Sequence, residues 1–182
     1  MSERKFVCVE LTPERLEGFR DFCCGSETWS EDLRDFLLND AQDQGEALLN
    51  TTYLWYDDKG AAVAFVAVSM DYAANDKEAR IVPEFTYTRI PALLIGRLGV
   101  DERHQRKGIG SVIMSFVRTL AADSGIGCRF VAVDVDKQNL GALRFYSREG
   151  FIKAPKIREK LDLMLYDLLA SRKAKPRASA GQ

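Results

Sequence analysis

The stretch Gln105-Arg106-Lys107-Gly108-Ile109-Gly110 decides how this chain is interpreted. An apolar run over 92–100 precedes it and predicts a strand. An apolar pattern at helical spacing follows it, formed by Val112, Ile113, Phe116, Val117 and Leu120. The first N–H groups of a helix have no intrahelical partner, and the helix dipole adds positive charge at that end. Because Gly108 and Gly110 let an anion approach the backbone and two cations adjoin them, the stretch predicts a phosphate site.

Two named phosphate motifs do not fit these residues. The dinucleotide fingerprint G-x-G-x-x-G needs a third glycine where Ile113 stands. The P-loop needs a lysine after its last glycine, whereas Lys107 precedes Gly108. The remaining alternative is a glycine turn that only opens a helix.

A second motif lies further along the chain. Residues 129–136 are rich in β-branched and aromatic side chains and predict a strand. Asn139 can cap the helix that follows, and Gly150 can end it in the left-handed conformation. The order from about 92 to 155 is therefore strand, turn, helix, strand, short helix and strand.

This order resembles the coenzyme-A half of the GNAT N-acetyltransferase superfamily. The resemblance rests on Gln105-x-x-Gly108-x-Gly110, on Asn139-x-x-Ala142-x-x-Phe145-Tyr146, and on the flanking pairs Leu98-Gly99-Val100-Asp101 and Gly150-Phe151. It implies an α/β (α+β) fold with a mixed, mostly antiparallel central sheet of about six to seven strands. Helices would flank this sheet, which would be splayed at the acetyl-CoA site.

The resemblance also implies the activity and its residues. An enzyme of this kind transfers acetyl from acetyl-CoA, its co-substrate, to a primary amine by direct attack in a ternary complex, without a metal. Tyr146 would be the general acid, because a phenol with a pKa near 10 is protonated at neutral pH. Its alternative role is that of a core aromatic. The expected acetyl-CoA-binding residues are Leu98, Gly99, Val100, Gln105, Arg106, Lys107, Gly108, Ile109, Gly110, Ser111, Asn139 and Phe145.

No general base is evident from the sequence. Carboxylates near the expected strands are Glu84, Asp101, Asp134 and Asp136. Each is also compatible with a solvated position, and a water molecule can serve instead. His104 is the only histidine, and a lone histidine is more typical of a surface position.

A finer resemblance points to GNAT toxins of toxin–antitoxin pairs. It rests on four segments: Phe22-Cys23-Cys24-Gly25, Leu33-x-x-Phe36-Leu37-x-x-x-Ala41, Tyr53-Leu54 and the residues 91–98. It implies aminoacyl-tRNA as acceptor, an antitoxin protein as partner, and a basic surface such as Arg97, Arg103, Arg106 and Lys107 would form. Three alternatives stay open. They are a small-molecule amine bound beside Glu31, Asp32, Asp35 and Glu84, a non-catalytic protein that binds CoA or a partner, and an RNA-associated protein. GNAT enzymes are often homodimers.

Composition fits one globular domain. The chain has 182 residues, of which 46% are hydrophobic and 29% charged, and its net charge of −1 requires neither nucleic acid nor membrane. We expect a single domain over 1–170, a disordered basic tail over 171–182, and a cytoplasmic location without a membrane partner. The four cysteines match no zinc pattern, so reduced and mostly buried thiols are expected.

The remaining elements follow from hydrophobic pattern and turn residues. Strands are expected at 6–11, 51–56, 61–70, 128–136 and 161–168, and helices at 12–24, 30–41, 109–123 and 139–149. Asp57-Asp58-Lys59-Gly60 predicts a hairpin turn. A polar loop is expected at 71–80, and Pro83 and Pro91 predict a broken or bulged strand pair within 81–100 instead of one continuous strand.

Overall fold

The structure is a computed structural model that describes residues 5–77, 80–155 and 159–170. Within these ranges seven strands form one sheet in the order β1-β2-β3-β4-β5-β7-β6. Four of its pairings are antiparallel, namely β1 with β2, β2 with β3, β5 with β7 and β6 with β7. The strands are β1 (Val7–Glu10), β2 (Thr51–Tyr56), β3 (Ala62–Ala74), β4 (Arg89–Val100), β5 (Phe130–Asp136), β6 (Ile152–Lys153) and β7 (Leu161–Asp167).

The helices come in two groups along the chain. The α-helices are α1 (Pro13–Leu16), α2 (Thr28–Asp35), α3 (Ala41–Glu46), α4 (Ile109–Asp123) and α5 (Leu140–Arg148). A π-helical segment, Phe36–Asp40, joins α2 to α3, and short 3-10 turns occupy Glu17–Phe19 and Glu102–His104. The mixed, mostly antiparallel sheet with flanking helices confirms the predicted fold class.

The chain divides into two compact units, each with its own core. The first unit comprises the described parts of Met1–Ser69 and Ile95–Ser115. Its core is aromatic and contains the fully buried Phe19, Phe22, Leu54 and Phe65. The second unit comprises the described parts of Met70–Leu94 and Phe116–Gln182, and its core is centred on Val82, Phe130, Ala132 and Leu165. The expectation of a single domain over 1–170 stays a prediction.

The amino-terminal helix is shorter than the sequence pattern predicts. A helix over 12–24 was expected, but the α-helix ends at Leu16 and the chain then tightens into a 3-10 turn. The carbonyls of Arg20 and Phe22 accept hydrogen bonds from the Arg34 guanidinium, at 3.0 and 3.1 Å. A side chain of another helix therefore satisfies two carbonyls that lie beyond the end of the short helix.

The prediction of a broken strand pair over 81–100 is also wrong. A single strand, β4, runs from Arg89 through Pro91 to Val100. Pro91 lies near the start of this strand, and its carbonyl accepts the Arg129 N–H at 2.9 Å. Strand β3 continues to Ala74, into the segment for which a loop was expected.

Other local predictions are confirmed. Helix α4 has the expected bounds, and Gly60 has the positive φ of 79° that the hairpin turn needs. The Asp57 carboxylate caps this turn by accepting the N–H groups of Lys59 and Ala61. The expected disordered tail at 171–182 lies outside the described residues. None of the helices described combines the length and the apolar character needed to cross a membrane.

Candidate active site

The glycine turn of the first unit has the geometry of an anion cradle. Gly108 has a φ of 86° and is exposed, and a Cβ placed on it would meet nothing within 4 Å. Its carbonyl accepts the N–H groups of Ser111 and Val112, so it begins the fifteen-residue helix α4. The turn therefore has open space above its glycine and the positive end of a long helix, and the cations Arg106 and Lys107 are adjacent. Together the backbone N–H groups and the two cations can bind a phosphate-bearing ligand.

Arg106 departs from ordinary backbone geometry. Its φ is 58°, in the left-handed region that favours glycine. The side chain is exposed and lies within the turn that the sequence identified. A cation thus occupies a position that glycine would hold at lower conformational cost.

Contacts within the protein engage two other residues of the turn. The Gln105 side-chain amide donates to the carbonyls of Cys24, at 2.7 Å, and Val100, at 3.1 Å. The Lys107 ammonium donates to the carbonyl of Arg103. The Gln105 side chain therefore fixes the turn, which leaves phosphate contacts to the backbone and to the cations.

Asp101 lies at the junction between strand β4 and this turn. Its carboxylate is fully buried and accepts hydrogen bonds from the Cys23 N–H and the Arg103 N–H, Nε and Nη2. Burial alone would raise the pKa of Asp101, but these hydrogen bonds outweigh it and hold that pKa below its ordinary value. A carboxylate so buried and so fully bonded is unsuited to the role of general base.

His104 occupies a structural position beside Asp101. Its Nδ1 lies 3.6 Å from the Asp101 Oδ1, and its Nε2 lies 3.8 Å from the Asp57 Oδ2. The only histidine thus lies between the hairpin turn and the loop after β4, and its side chain is 21% exposed, less than the expected surface position implies.

Tyr146 lies on helix α5 in the second unit. It is 5% exposed, and its ring packs edge-on against Phe145 and Phe151 at centroid distances of 5.1 and 5.2 Å. Burial raises the pKa of Tyr146 above its ordinary value. The phenol is therefore protonated at neutral pH, as a general acid must be.

Both ends of α5 are fixed by the residues that the sequence named. The Asn139 side chain accepts the Ala142 N–H at 2.9 Å and so caps the helix. At the other end Gly150 has a φ of 86°. The Arg118 guanidinium donates to Glu149 Oε2 at 2.6 Å and lies 4.5 Å from the centre of the Tyr166 ring. These contacts hold both ends of the helix that carries Tyr146, and the Asn139 side chain acts as its N-cap.

The other carboxylates considered as bases have different surroundings. The Asp136 Oδ1 accepts the Gln138 N–H at 2.7 Å and belongs to the turn before α5. Asp134 is exposed on β5. Glu84 lies 3.8 Å from Arg129, which pairs more closely with Asp167 at 2.7 Å. In the described parts of the chain, no three His, Cys, Asp or Glu side chains come together as a metal site.

The cysteines are all free thiols and half-buried, somewhat more accessible than expected. Burial raises the pKa of Cys24 to about 12 and that of Cys8 to about 11. These thiols are protonated at neutral pH and unsuited to nucleophilic attack.

The second unit also contains an apolar cavity of about 380 Å³. None of the predicted site residues lines it. Its wall includes Phe85 and Tyr87, whose rings stack at 6.2 Å, together with Cys128 and Arg129. The loop that carries the two aromatic residues is held by the buried side chain of Asn75.

The sequence missed the role of the Phe22–Gly25 turn in the geometry of the site. The Glu102 N–H donates to the carbonyl of Cys23 at 2.7 Å, and the Asp101 carboxylate accepts the N–H of the same cysteine at 3.3 Å. The only sequence signal for this contact was the resemblance of Phe22-Cys23-Cys24-Gly25 to the toxin motif.

Several solved structures share the fold over nearly the whole chain. A tyrosine-to-phenylalanine mutant of KacT has a TM-score of 0.75 and 19% identity, over 94% of this chain and 99% of that chain. AtaT complexed with acetyl-methionyl-tRNAfMet has a TM-score of 0.74 and 18% identity, over 93% of this chain and 99% of that chain. AtaTR bound with acetyl-CoA has a TM-score of 0.71 and 20% identity, over 93% and 97%.

Sequence comparison identifies the family. No curated protein is similar enough in sequence to count as a relative. The sequence model of the acetyltransferase (GNAT) family, however, matches residues 14–151, which include both the glycine turn and helix α5. The chain therefore belongs to the GNAT acetyltransferase family and is an N-acetyltransferase.

Proposed function

We propose that this chain transfers the acetyl group of acetyl-CoA to a primary amine by direct attack in a ternary complex. The observation that carries the proposal is the turn Gln105–Gly110, where an open left-handed glycine begins a long helix beside two cations. Such a turn can bind the pyrophosphate of acetyl-CoA through backbone N–H groups. Acetyl-CoA would supply the activated acetyl thioester, and the resemblance to the family implies that the backbone at Leu98, Gly99 and Val100 lies against its extended arm.

Tyr146 is the proposed general acid. When the amine nitrogen bonds to the acetyl carbon, the carbon–sulfur bond breaks and the leaving thiolate needs a proton. The phenol of Tyr146 holds its proton at neutral pH, because the ordinary pKa of a phenol is near 10 and burial raises it further. In the proposal it donates that proton to the sulfur. The structures similar to this chain include tyrosine-to-phenylalanine mutants of both KacT and AtaT, which supports testing a tyrosine first.

Water is the proposed acceptor of the amine proton. Asp101 is fully bonded, and Asp136 belongs to a turn. An amine that arrives neutral requires no side-chain base.

The proposed acceptor is the amino group of an aminoacyl-tRNA, with an antitoxin as protein partner. AtaT has been solved with acetyl-methionyl-tRNAfMet and, in another structure, bound to the C-terminus of the antitoxin AtaR. The resemblance of Phe22–Gly25 to the toxin motif supports the same class for this chain. Arg97, Arg106 and Lys107 are exposed cations of the first unit that could contact phosphates.

The test is thiol release from acetyl-CoA, measured with charged tRNA, uncharged tRNA and simple primary amines. We expect release only with charged tRNA, and a loss of about 100-fold in kcat for Tyr146→Phe. Tyr87→Phe is the matched control, because Tyr87 is 68% exposed and was not assigned to the site.

The other outcomes separate the alternatives. Release with simple amines but not with charged tRNA would replace the tRNA proposal with a small-molecule acceptor. Wild-type turnover in Tyr146→Phe would remove Tyr146 from the chemistry. Acetyl-CoA binding without release for any acceptor would favour a non-catalytic protein.

A further inference from the structure

The buried carboxylate of Asp101 connects two segments that are far apart in the sequence. It is 0% exposed, and an unpaired charge at such a depth would be strongly destabilising. Arg103 donates to both of its oxygens, from Nε at 2.7 Å and from Nη2 at 2.8 Å. The Cys23 N–H donates to Oδ2 at 3.3 Å, across 78 residues of sequence.

Further hydrogen bonds join the same two segments in parallel. The Glu102 N–H donates to the Cys23 carbonyl at 2.7 Å, and the Gln105 side-chain amide donates to the Cys24 carbonyl at 2.7 Å. We call this set of contacts, made by Asp101, Glu102 and Gln105 with Cys23 and Cys24, the turn clamp. It fixes the position of Gln105, the first residue of the phosphate turn.

The turn clamp also depends on close packing. A Cβ on Gly99 would lie 2.9 Å from the Cys24 Sγ and 2.5 Å from the Phe65 Cε1. The end of strand β4 therefore lies directly against the Phe22–Gly25 turn. If the Phe22–Gly25 turn shifts, the end of β4 and the residues that follow β4 are expected to shift with it.

We propose that Asp101 is a positioning residue that holds the Gln105–Gly110 turn in the shape that binds acetyl-CoA. This proposal rests on the proposed function, since it requires acetyl-CoA as the ligand of that turn. Asp101 itself does not contact the substrate in this proposal, because its side chain is 0% exposed. Its charge matters because Arg103 and two backbone N–H groups converge on it, and a neutral amide cannot accept from all of them.

The decisive variants are Asp101→Asn and Arg103→Met. The first keeps the side-chain shape but turns an amide N–H toward a donor. The second removes two of the four hydrogen bonds together with the charge that pairs with Asp101, through a side chain that is 62% exposed, so circular dichroism checks the folding of both variants before binding is measured. Asp58→Asn is the matched control, because it removes an exposed carboxylate from the same unit.

The experiment measures acetyl-CoA affinity by calorimetry, and then kcat and KM with the acceptor that the wild type uses. We expect Asp101→Asn to weaken acetyl-CoA binding about tenfold or more. Arg103→Met should weaken it less, and Asp58→Asn should leave it unchanged. In both clamp variants the KM for acetyl-CoA should rise while kcat at saturation and the KM for the acceptor stay near the wild-type values. A role limited to fold stability would lower the melting temperature without raising the KM for acetyl-CoA selectively.

Three results would overturn the proposal. The first is wild-type acetyl-CoA affinity in folded Asp101→Asn, or in Arg103→Met if the first variant does not fold. The second is a fall in kcat with unchanged acetyl-CoA affinity, which would place Asp101 in the chemistry. The third is a wild-type protein that binds no acetyl-CoA. This result is distinct from the other two because it overturns the proposed function together with the role of Asp101.

Discussion

At the residue scale, Gly99 has no room for a side chain. The nearest obstacle to a Cβ is the Phe65 ring, at 2.5 Å. Phe65 cannot easily move, because it is fully buried and Phe22 and Phe36 pack against its ring. We expect Gly99→Ala to lower the free energy of unfolding by about 1–3 kcal/mol through overpacking, measured by urea denaturation.

Gly127 provides the control for this substitution. A Cβ there would meet nothing within 4 Å, and its φ is not in the left-handed region. Gly127→Ala should change the free energy of unfolding by less than about 0.5 kcal/mol. Equal stability of the two variants would show that β4 can move away from Phe65.

Replacing Arg106 with glycine should change the stability of the fold and the affinity for acetyl-CoA in opposite directions. Because its φ of 58° suits glycine, Arg106→Gly should stabilise the fold by about 1 kcal/mol. The same change removes a guanidinium from the phosphate turn, so acetyl-CoA affinity should fall. Arg106→Ala should lose affinity without gaining stability. Melting temperature and calorimetry measure the two effects, and higher affinity in Arg106→Gly would contradict the role of the guanidinium.

At the scale of elements, the loop between β3 and β4 depends on one buried side chain. Asn75 is 2% exposed. Its amide donates to the carbonyls of Val82, Phe85 and Tyr87, and its oxygen accepts the N–H groups of Ile81 and Val82. Asn75→Ala should cost about 2–3 kcal/mol, because buried backbone groups lose their partner. Hydrogen exchange should report loss of protection at the two N–H groups.

The matched control for the loop is Asn39→Ala. Asn39 is exposed and makes one hydrogen bond, to Asp35 on the same helical stretch. Its loss should cost no more than about 0.5 kcal/mol. Unchanged hydrogen exchange at Ile81 and Val82 in Asn75→Ala would mean that the loop is held by its own packing.

Elements were predictable from the sequence where their signals are local. Helix α4 has the predicted bounds because one apolar stripe and one glycine turn specify it. The helix predicted over 12–24 ends early, and Arg34 satisfies the carbonyls of Arg20 and Phe22 beyond its end. The pattern of residues 12–24 carries no information about this distant partner.

At the scale of the whole molecule, the candidate site also has parts with a local sequence signal and parts that depend on distant partners. The glycine turn at Gln105–Gly110 and the capped helix that carries Tyr146 were predictable because short motifs encode them. The turn clamp was not found, because Asp101 meets Cys23 across 78 residues. A buried carboxylate with distant partners looks, in sequence, like any solvated aspartate, and only the fold distinguishes the two.

The whole molecule should be most stable between two titration limits. On the acid side, a hydrogen bond from the Ala61 N–H lowers the pKa of Asp57 below 3.8, and hydrogen bonds from the Arg129 side chain do the same for Asp167. Burial acts to raise the pKa of Asp101, but the hydrogen bonds from Arg103 and Cys23 outweigh it and lower that pKa. A lowered pKa in the folded state stabilises the protein above the unfolded pKa, and this contribution is lost as pH falls. Stability should therefore decline below about pH 4.

On the alkaline side the shifts have the opposite sign. Burial raises the pKa of Cys8 to about 11 and that of Cys24 to about 12, from 9.0. A group whose pKa is raised by folding contributes its stability below the unfolded pKa and loses it as pH rises toward the folded value. Melting temperature measured from pH 3 to 11 should thus be level in the middle and fall at both ends.

Cys24→Ser should show a shallower alkaline fall in melting temperature than wild type, and Asp167→Asn should show a shallower acid fall than Asp58→Asn. A level profile down to pH 3 would mean that Asp57, Asp101 and Asp167 keep their ordinary pKa values.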